Sequence, residues 1–368
     1  MTSSAFVRTI DVNDLLPLLD DRSEMGLVDV RESDEFASWH IPGAVNIPLG
    51  QLADRLSDVP RTPRLVTICA LGSRATEGAA VLAAHGVHAQ VLEGGMSAWG
   101  HVYEAVDATI EGALVTQIRR RGKGCLSYVI GAGTRAIVLD PSTEIDQYMA
   151  IAQQRGMTIA YVIDTHLHAD HLSGARSLAR ASGAQLLLNP ADPFAFDFTP
   201  IEDNLRLALS DDLHLTVSAV SAPGHTEGST VYRLGDFALF TGDTLFLESV
   251  GRPDLADQAE AYAHALYRSL HTIVLPLSDD LYVFPAHFGD AVTVRQGELV
   301  TKRLGDLRRL LPALAYDEPT FVAWAVARVT NRPPNYQEIV RYNSGHSDLG
   351  LLELEQMELG PNRCAIAS

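Results

Sequence analysis

Thr165-His166-Leu167-His168-Ala169-Asp170-His171 closes the apolar run IAYVIDT (159–165) and leads into the helix-like stretch SGARSLARASG (173–183). Three histidines and an aspartate within six residues are costly to bury unpaired. On a turn between strand and helix they suit a divalent metal held by nitrogen and oxygen. Downstream, Pro223-Gly224-His225-Thr226, Thr241-Gly242-Asp243-Thr244 and Pro285-Ala286-His287 each end a strand-like run. Loops at strand ends are where binding and catalytic groups gather.

Around these loops the rhythm is that of closely spaced strands and outer helices. TQIRR, CLSYVIG and RAIVLDP predict an antiparallel meander beginning near residue 110, followed by helix STEIDQYMAIAQQRG and strand AQLLLN. LHLTVSAV, STVYRLG, DFALFTGD and LYVFPAH predict further strands, with helix AEAYAHALYRSL before the last. Two sheets packed face to face with helices outside, and a mostly helical stretch past 291, account for this order. Residues 1–104 read differently: LVDV, VTIC and AQVLEGG as strands alternate with EFASWH, QLADRLSDV and RATEGAAVLAAHG as helices, which predicts a parallel sheet covered on both faces. The fold class is therefore α/β in two domains, 1–104 and 105–368, joined by a short link near 103–109.

In the first domain, Cys69-Ala70-Leu71-Gly72-Ser73-Arg74 lies between a strand and a helix. Successive backbone N–H groups above a helix amino terminus form a nest for an anion, and with Arg74 nearby they should stabilise the Cys69 thiolate. Such a thiolate attacks sulfane sulfur and carries it as a persulfide. A buried cysteine is otherwise a small hydrophobe, the reading given to Cys125 at the start of a strand; Cys364 in the tail has no sequence context.

With 46 acidic against 28 basic residues among 368, the net charge of −18 repels polyanions, so neither nucleic acid nor an anionic membrane surface is expected as a partner unless a local basic patch overrides the whole. The basic run Arg119-Arg120-Arg121 with Lys123 reads as a solvated hairpin tip. His40, His85, His88, His101, His214, His264, His271 and His346 read as surface side chains. Three widely spaced cysteines give no disulfide framework, and no apolar span or leader pattern is read, so the expected location is cytoplasmic.

LVDVRESDEFASWHIPGAVNIPL, the CALGSR loop and VLEGGMSAW together resemble the rhodanese family across nearly the first hundred residues, which implies Cys69 as the catalytic cysteine and Arg74 as the loop's arginine. The four residues between them match the sulfur-transfer type, whereas related phosphatases have one residue more. Many rhodaneses carry a second arginine where this chain has Ala70. The ordered set HxHxDH, GH, GD and AH resembles the metallo-β-lactamase superfamily over about 110–290, and so implies an αβ/βα sandwich with a helical C-terminal extension. PGHTEGS, TGDTLFLESVGRPDL, PAHF and NRPPNYQEIVRYNSG resemble most the persulfide dioxygenases of that superfamily.

That resemblance implies one Fe(II) per chain, held by His166, His225 and Asp243, with His168, Asp170, His171 and His287 orienting those ligands. In hydrolytic relatives of the glyoxalase II kind the same four residues help bind two metals, and zinc is the alternative ion. Arg252 matches an arginine near the thiol substrate, with an ion pair in the loop as the equal reading; Phe288 stands where glutathione-using members often have tyrosine. The expected reaction is oxidation of a small thiol persulfide by O2 to sulfite, coupled through a Cys69 persulfide to thiosulfate chemistry. The rivals are a binuclear zinc thioester hydrolase with an accessory rhodanese domain, and a persulfide carrier or sensor without catalysis. The carrier thiol and homo-oligomerisation are left open.

Overall fold

A computed structural model describes residues 8–19, 24–210, 216–254, 258–289, 291–329, 332, 335–347, 350, 353 and 358–366. It divides into two compact units. One comprises Met1–Glu104, Arg120–Lys123 and Leu359–Pro361; the other comprises Ala105–Arg119, Gly124–Glu358 and Asn362–Ser368.

The first unit is built on five parallel strands in the order Thr9–Ile10, Gln90–Leu92, Arg64–Ile68, Met25–Asp29, Val45–Asn46. Successive side chains on a strand face opposite ways, and the two cores follow that rule. Leu27, Val66 and Ile68 join one cluster, whereas Val28, Leu65 and Cys69 join the other. Parallel strands buried on both faces need a crossover element, which the helix Ser73–Ala84 supplies after strand Arg64–Ile68. QLADRLSDV forms 3-10 turns at Leu49–Gln51 and Leu56–Asp58 in place of the expected helix. Flanked by Pro48 and Pro60, the stretch is too short to sustain an α-helix.

The second unit is a two-sheet sandwich. Its seven-stranded sheet runs Thr199–Pro200, Gln185–Leu188, Thr158–Ile163, Arg135–Leu139, Cys125–Ala132, Ala113–Arg120, Tyr103–Ile110. The six-stranded sheet runs Arg206–Ala208, Thr216–Ser221, Thr230–Leu234, Ala238–Gly242, Tyr282–Pro285, Lys302–Arg303. One continuous core, including Tyr128, Ile137, Ile163, Val217, Phe240 and Phe284, lies between them. Helices Ile145–Gln154 and Ala175–Ser182 pack on the first sheet, and Ala259–Ser269 packs against Glu318–Ala327. The expected link near 103–109 is itself strand: YEAVDATI alternates in exposure, as an edge strand does.

The basic run is not a solvated tip, because its charges are buried where carbonyls satisfy them. Arg120 Nε donates to the Gly100 carbonyl at 2.5 Å and its guanidinium lies over Tyr103, while Arg119 donates to the Arg295 carbonyl at 3.0 Å. Of the histidines read as surface groups, His214 lies outside the described residues; the others are exposed or half-buried.

Gly95 shows how closely the first unit is packed at its cysteine loop. Its φ is +56°, and a Cβ there would sit 2.2 Å from the Cys69 carbonyl oxygen. Gly95→Ala is expected to destabilise this unit by at least about 1–2 kcal/mol, the order of a left-handed alanine before any clash is relieved. A lower urea midpoint for its unfolding transition checks this, and an unchanged midpoint would show that the loop yields freely.

Candidate active sites

The first site stands at the end of strand Arg64–Ile68. Cys69 Sγ accepts a hydrogen bond from the Gly72 N–H at 3.0 Å, and Gly72, at φ +113°, turns the chain into the twelve-residue helix that follows. The Met96 and Ser97 N–H groups bind the Cys69 and Ala70 carbonyls at 2.9 and 3.1 Å, so the loop is held from behind by the GGMSAW turn. Arg74 forms a two-pronged pair with Glu35 at 2.7 and 2.8 Å, and that bonding holds the Glu35 carboxyl at about 2. Glu35 was not singled out in the sequence. Its segment is fixed by the buried Asp29–Arg31 pair, whose Arg31 Nη2 also donates to the Trp39 carbonyl at 2.7 Å.

The second site collects residues from four strand ends. His166, His225 and Asp243 are each exposed by 2% or less. Asp243 Oδ2 lies 3.5 Å from His166 Nε2 and 3.3 Å from His225 Nε2, and none of these three atoms has a hydrogen-bond partner among the described residues. The opposite nitrogens are committed: His225 Nδ1 to the Arg252 carbonyl at 2.9 Å, His166 Nδ1 to Thr165 Oγ1 at 2.9 Å. Burial lowers His225 to about 4, so near neutrality it is a neutral imidazole with its Nε2 lone pair turned inward.

The remaining predicted residues stand around this triad in two groups. His287 Nδ1 faces Asp243 Oδ1 at 2.6 Å, and its Nε2 lies 3.0 Å from Asp170 Oδ2; Asp170 Oδ1 in turn faces His171 Nδ1 at 3.2 Å. Burial opposes charge on Asp243, yet the neighbouring His287 and His166 hold it well below the usual carboxylate range. His168 is turned elsewhere, with Nε2 3.1 Å from Asp140 Oδ1, and burial lowers it to about 3.

The residues that fix this geometry carried little sequence signal. Asp140, in the left-handed region at φ +51°, accepts from the Thr165 N–H at 2.6 Å and Thr165 Oγ1 at 3.0 Å. Asp192 joins two ligand loops, accepting from the N–H groups of Leu167 at 2.8 Å and Gly228 at 2.9 Å. Asn343 donates to the His168 and His171 carbonyls at 2.9 and 2.8 Å, which gives the NRPPNYQEIVRYNSG segment its role. Arg252 is buried and two-pronged on Asp254 at 2.7 and 2.9 Å, and it also donates to the Arg363 carbonyl. Its guanidinium therefore anchors the loop and tail. Phe288 belongs to the hydrophobic core.

Two cysteines also stand here. Cys125 groups with Asp170, His171 and His287, and Cys364 groups with Asp243 and His287, their donor atoms within 4.8 Å of one another in each group. Burial and the Asp170 and Asp243 carboxylates push the Cys364 thiol well up.

Three converging donors without partners, two imidazole nitrogens and a carboxylate oxygen, would be an expensive defect in a metal-free core. A divalent cation would supply the missing partner, and a set of two histidines and a carboxylate suits one. Asp243→Asn is expected to remove most cation binding. His287→Ala, which leaves the triad but strips the group facing Asp243 Oδ1, should weaken it about 10–100-fold. Chelator competition on the purified variants measures both; equal affinity in His287→Ala would show that Asp243 is not oriented by that contact.

Comparison with known proteins agrees with this architecture. Residues 11–101 match the rhodanese-like domain and residues 120–287 the metallo-β-lactamase superfamily. The chain is 30% identical over 183 residues to the mitochondrial persulfide dioxygenase ETHE1 of Homo sapiens, covering 46% of this chain and 65% of that one. It is 34% identical over 173 residues to a hydroxyacylglutathione hydrolase of Anaeromyxobacter dehalogenans, covering 46% and 63%. It thus spans less than two thirds of the length of either relative. The crystal structure of ETHE1 from Myxococcus xanthus superposes with a TM-score of 0.56 at 23% identity, covering 63% of this chain and 99% of that one, and so shares the fold. The chain joins a rhodanese-like domain to a domain of the metallo-β-lactamase superfamily.

Proposed function

We propose that the second domain is an Fe(II)-dependent persulfide dioxygenase, RSSH + O2 + H2O giving RSH and sulfite, and that the first is a sulfurtransferase working through a Cys69 persulfide. The observation that carries the first assignment is the grouping of His166, His225 and Asp243, whose ligand atoms lie within 4.8 Å of one another, whereas His168 groups with Asp140 and Asp164. Such a two-histidine, one-carboxylate set leaves coordination positions for substrate and O2.

Bound ferrous iron would relieve the spin barrier between O2 and a closed-shell persulfide, whose outer sulfur supplies the four electrons that reduce O2. The chain's own groups then have distinct tasks. His166 and His225 offer Nε2 because Thr165 and the Arg252 carbonyl occupy their other nitrogens. His287 fixes the plane of Asp243, and the burial of every donor keeps bulk water from the reacting sulfur. In the first domain, the Gly72 N–H and the amino end of helix Ser73–Ala84 support negative charge on Cys69 as sulfur moves on and off it.

A binuclear zinc thioester hydrolase is the second reading, favoured by the group Cys125, Asp170, His171 and His287. Anaerobic purification, metal analysis and O2 uptake with glutathione persulfide separate the two. About one iron per chain with persulfide-dependent O2 uptake is expected from a three-donor site. Two tightly held zinc ions, thioester hydrolysis and no O2 uptake would overturn the dioxygenase. His225→Ala should silence O2 uptake while Cys69 still accepts sulfur, and Cys69→Ser should abolish thiosulfate-linked transfer.

Glu35 yields a sharper prediction for the cysteine loop. Glu35→Gln removes the carboxylate that neutralises Arg74, so an anionic donor meets one more positive charge. Turnover with thiosulfate should rise a few-fold, the scale of a partly exposed ion pair worth about 0.5–1 kcal/mol. An unchanged rate at low ionic strength would remove Arg74 from donor recognition.

A further inference from the structure

The C-terminal tail reaches the histidine turn, the loop after Asp243 and the loop of His287. Glu358 Oε2 accepts from the Leu172 N–H at 2.6 Å, just after the histidine turn. Asn362 Nδ2 donates to the Phe288 carbonyl at 2.9 Å, beside His287. The Arg252 N–H binds the Cys364 carbonyl at 2.8 Å, the Ile366 N–H binds the Val250 carbonyl at 3.0 Å, and Ser249 Oγ donates to the Ile366 carbonyl at 2.8 Å. Gly251 and Ala365 form an antiparallel bridge. Contacts on both sides of Cys364 thus place its thiol by backbone pairing. That thiol is 1% exposed, and its near neighbours include Asp243 and His287. Asp243 Oδ2 is buried and has no hydrogen-bond partner among the described residues.

A cysteine that merely fills space has aliphatic surroundings, whereas this one faces a carboxylate and an imidazole of the candidate metal centre. Cys125 lies in the other donor group, which lacks Asp243; Cys364 shares Asp243 with the triad. Arg252, the residue reserved in the sequence for a carrier's carboxylate, is bound to Asp254 and the tail carbonyl. A site whose arginine is already paired gains from holding its sulfur covalently, since a bound carrier removes the entropic cost of bringing one in.

We propose that Cys364 is a sulfur-accepting thiol of the metal centre, taking the outer sulfur of a small persulfide: Cys364–SH + RSSH → Cys364–SSH + RSH. The donor's S–S bond breaks as the new one forms on Cys364. The thiol proton leaves with RS⁻, and no electrons are gained or lost. The inference rests on the persulfide reading above.

The test uses the full-length, iron-loaded Cys69→Ser chain, so that the first domain's thiol cannot take the label. It is treated with glutathione persulfide without O2, alkylated under denaturing conditions and peptide-mapped by mass. One extra sulfur on the Cys364 peptide, none on the Cys125 peptide, and discharge of the label as sulfite in air are expected. Cys364→Ser, checked for retained iron and circular dichroism, should lose the label. Persulfide-dependent O2 uptake with Cys364 unlabelled, or the label on Cys125, overturns the acceptor role and leaves the dioxygenase standing. A Cys364 label that persists in air with no O2 uptake preserves the acceptor and overturns the dioxygenase. Neither label nor uptake overturns both.

Discussion

The buried carboxylate of Asp243 is the constraint around which the second domain is arranged. It is 1% exposed, so its charge has no water to lean on, and three imidazoles from three separate loops surround it. A carboxylate with that environment cannot be left to side-chain mobility, because an isolated buried charge costs several kcal/mol and neutralises itself if unpaired. Its neighbours are therefore held by further groups. Asp140 fixes the start of the histidine turn, Asp192 ties that turn to the loop of His225, and Asn343 binds its carbonyls. Close backbone approach completes the frame: at Gly251 a Cβ would lie 1.9 Å from the Asp243 carbonyl oxygen, so the loop after the aspartate tolerates only glycine there.

What was legible in the sequence and what was not divide along a physical line. Strand periodicity and the histidine and aspartate spacings report residues close in the chain, and those features pick out many of the strands, the cysteine loop and the strand-end loops that hold the histidines and aspartates. Pairings across long separations leave no local trace. Glu35 bonds Arg74 from 39 positions away, Asp192 reaches Gly228 across 36, and Asn343 reaches His168 across 175. The basic run 119–121 failed for a related reason. Its composition reads as solvent-facing, but burial was decided by carbonyls as distant as those of Arg295 and Glu298. QLADRLSDV failed locally: amphipathic spacing was present, but two prolines bounded a stretch too short to nucleate.

On the proposed function the two sites would stabilise negative sulfur by different means, and the difference follows from their surroundings. At Cys69 the means are fixed dipoles, an N–H at 3.0 Å and a helix terminus, with an arginine already balanced by Glu35. Such a field is modest and reversible, which would suit a thiol that took and released sulfur. The second site is built on side-chain groups. Its groups are two imidazoles and a carboxylate, a set that on the proposed function would take a cation and then bind an anionic sulfur ligand at the open positions.

Long-range charge and local field act on different ligands, which reconciles a net charge of −18 with chemistry on small anions. A polyanion must approach over many charges at once and is repelled by the whole surface. A persulfide or thiosulfate carries one or two charges, and beyond about 8 Å at physiological ionic strength those are screened from most of the protein. Within that distance the nearest groups decide the field. At the first site they are the Gly72 N–H, the helix terminus and Arg74. At the second, Asp243, Asp170 and Asp140 would oppose an anion unless offset by a cation, so the same carboxylates that build the pocket make anionic substrate binding conditional on metal.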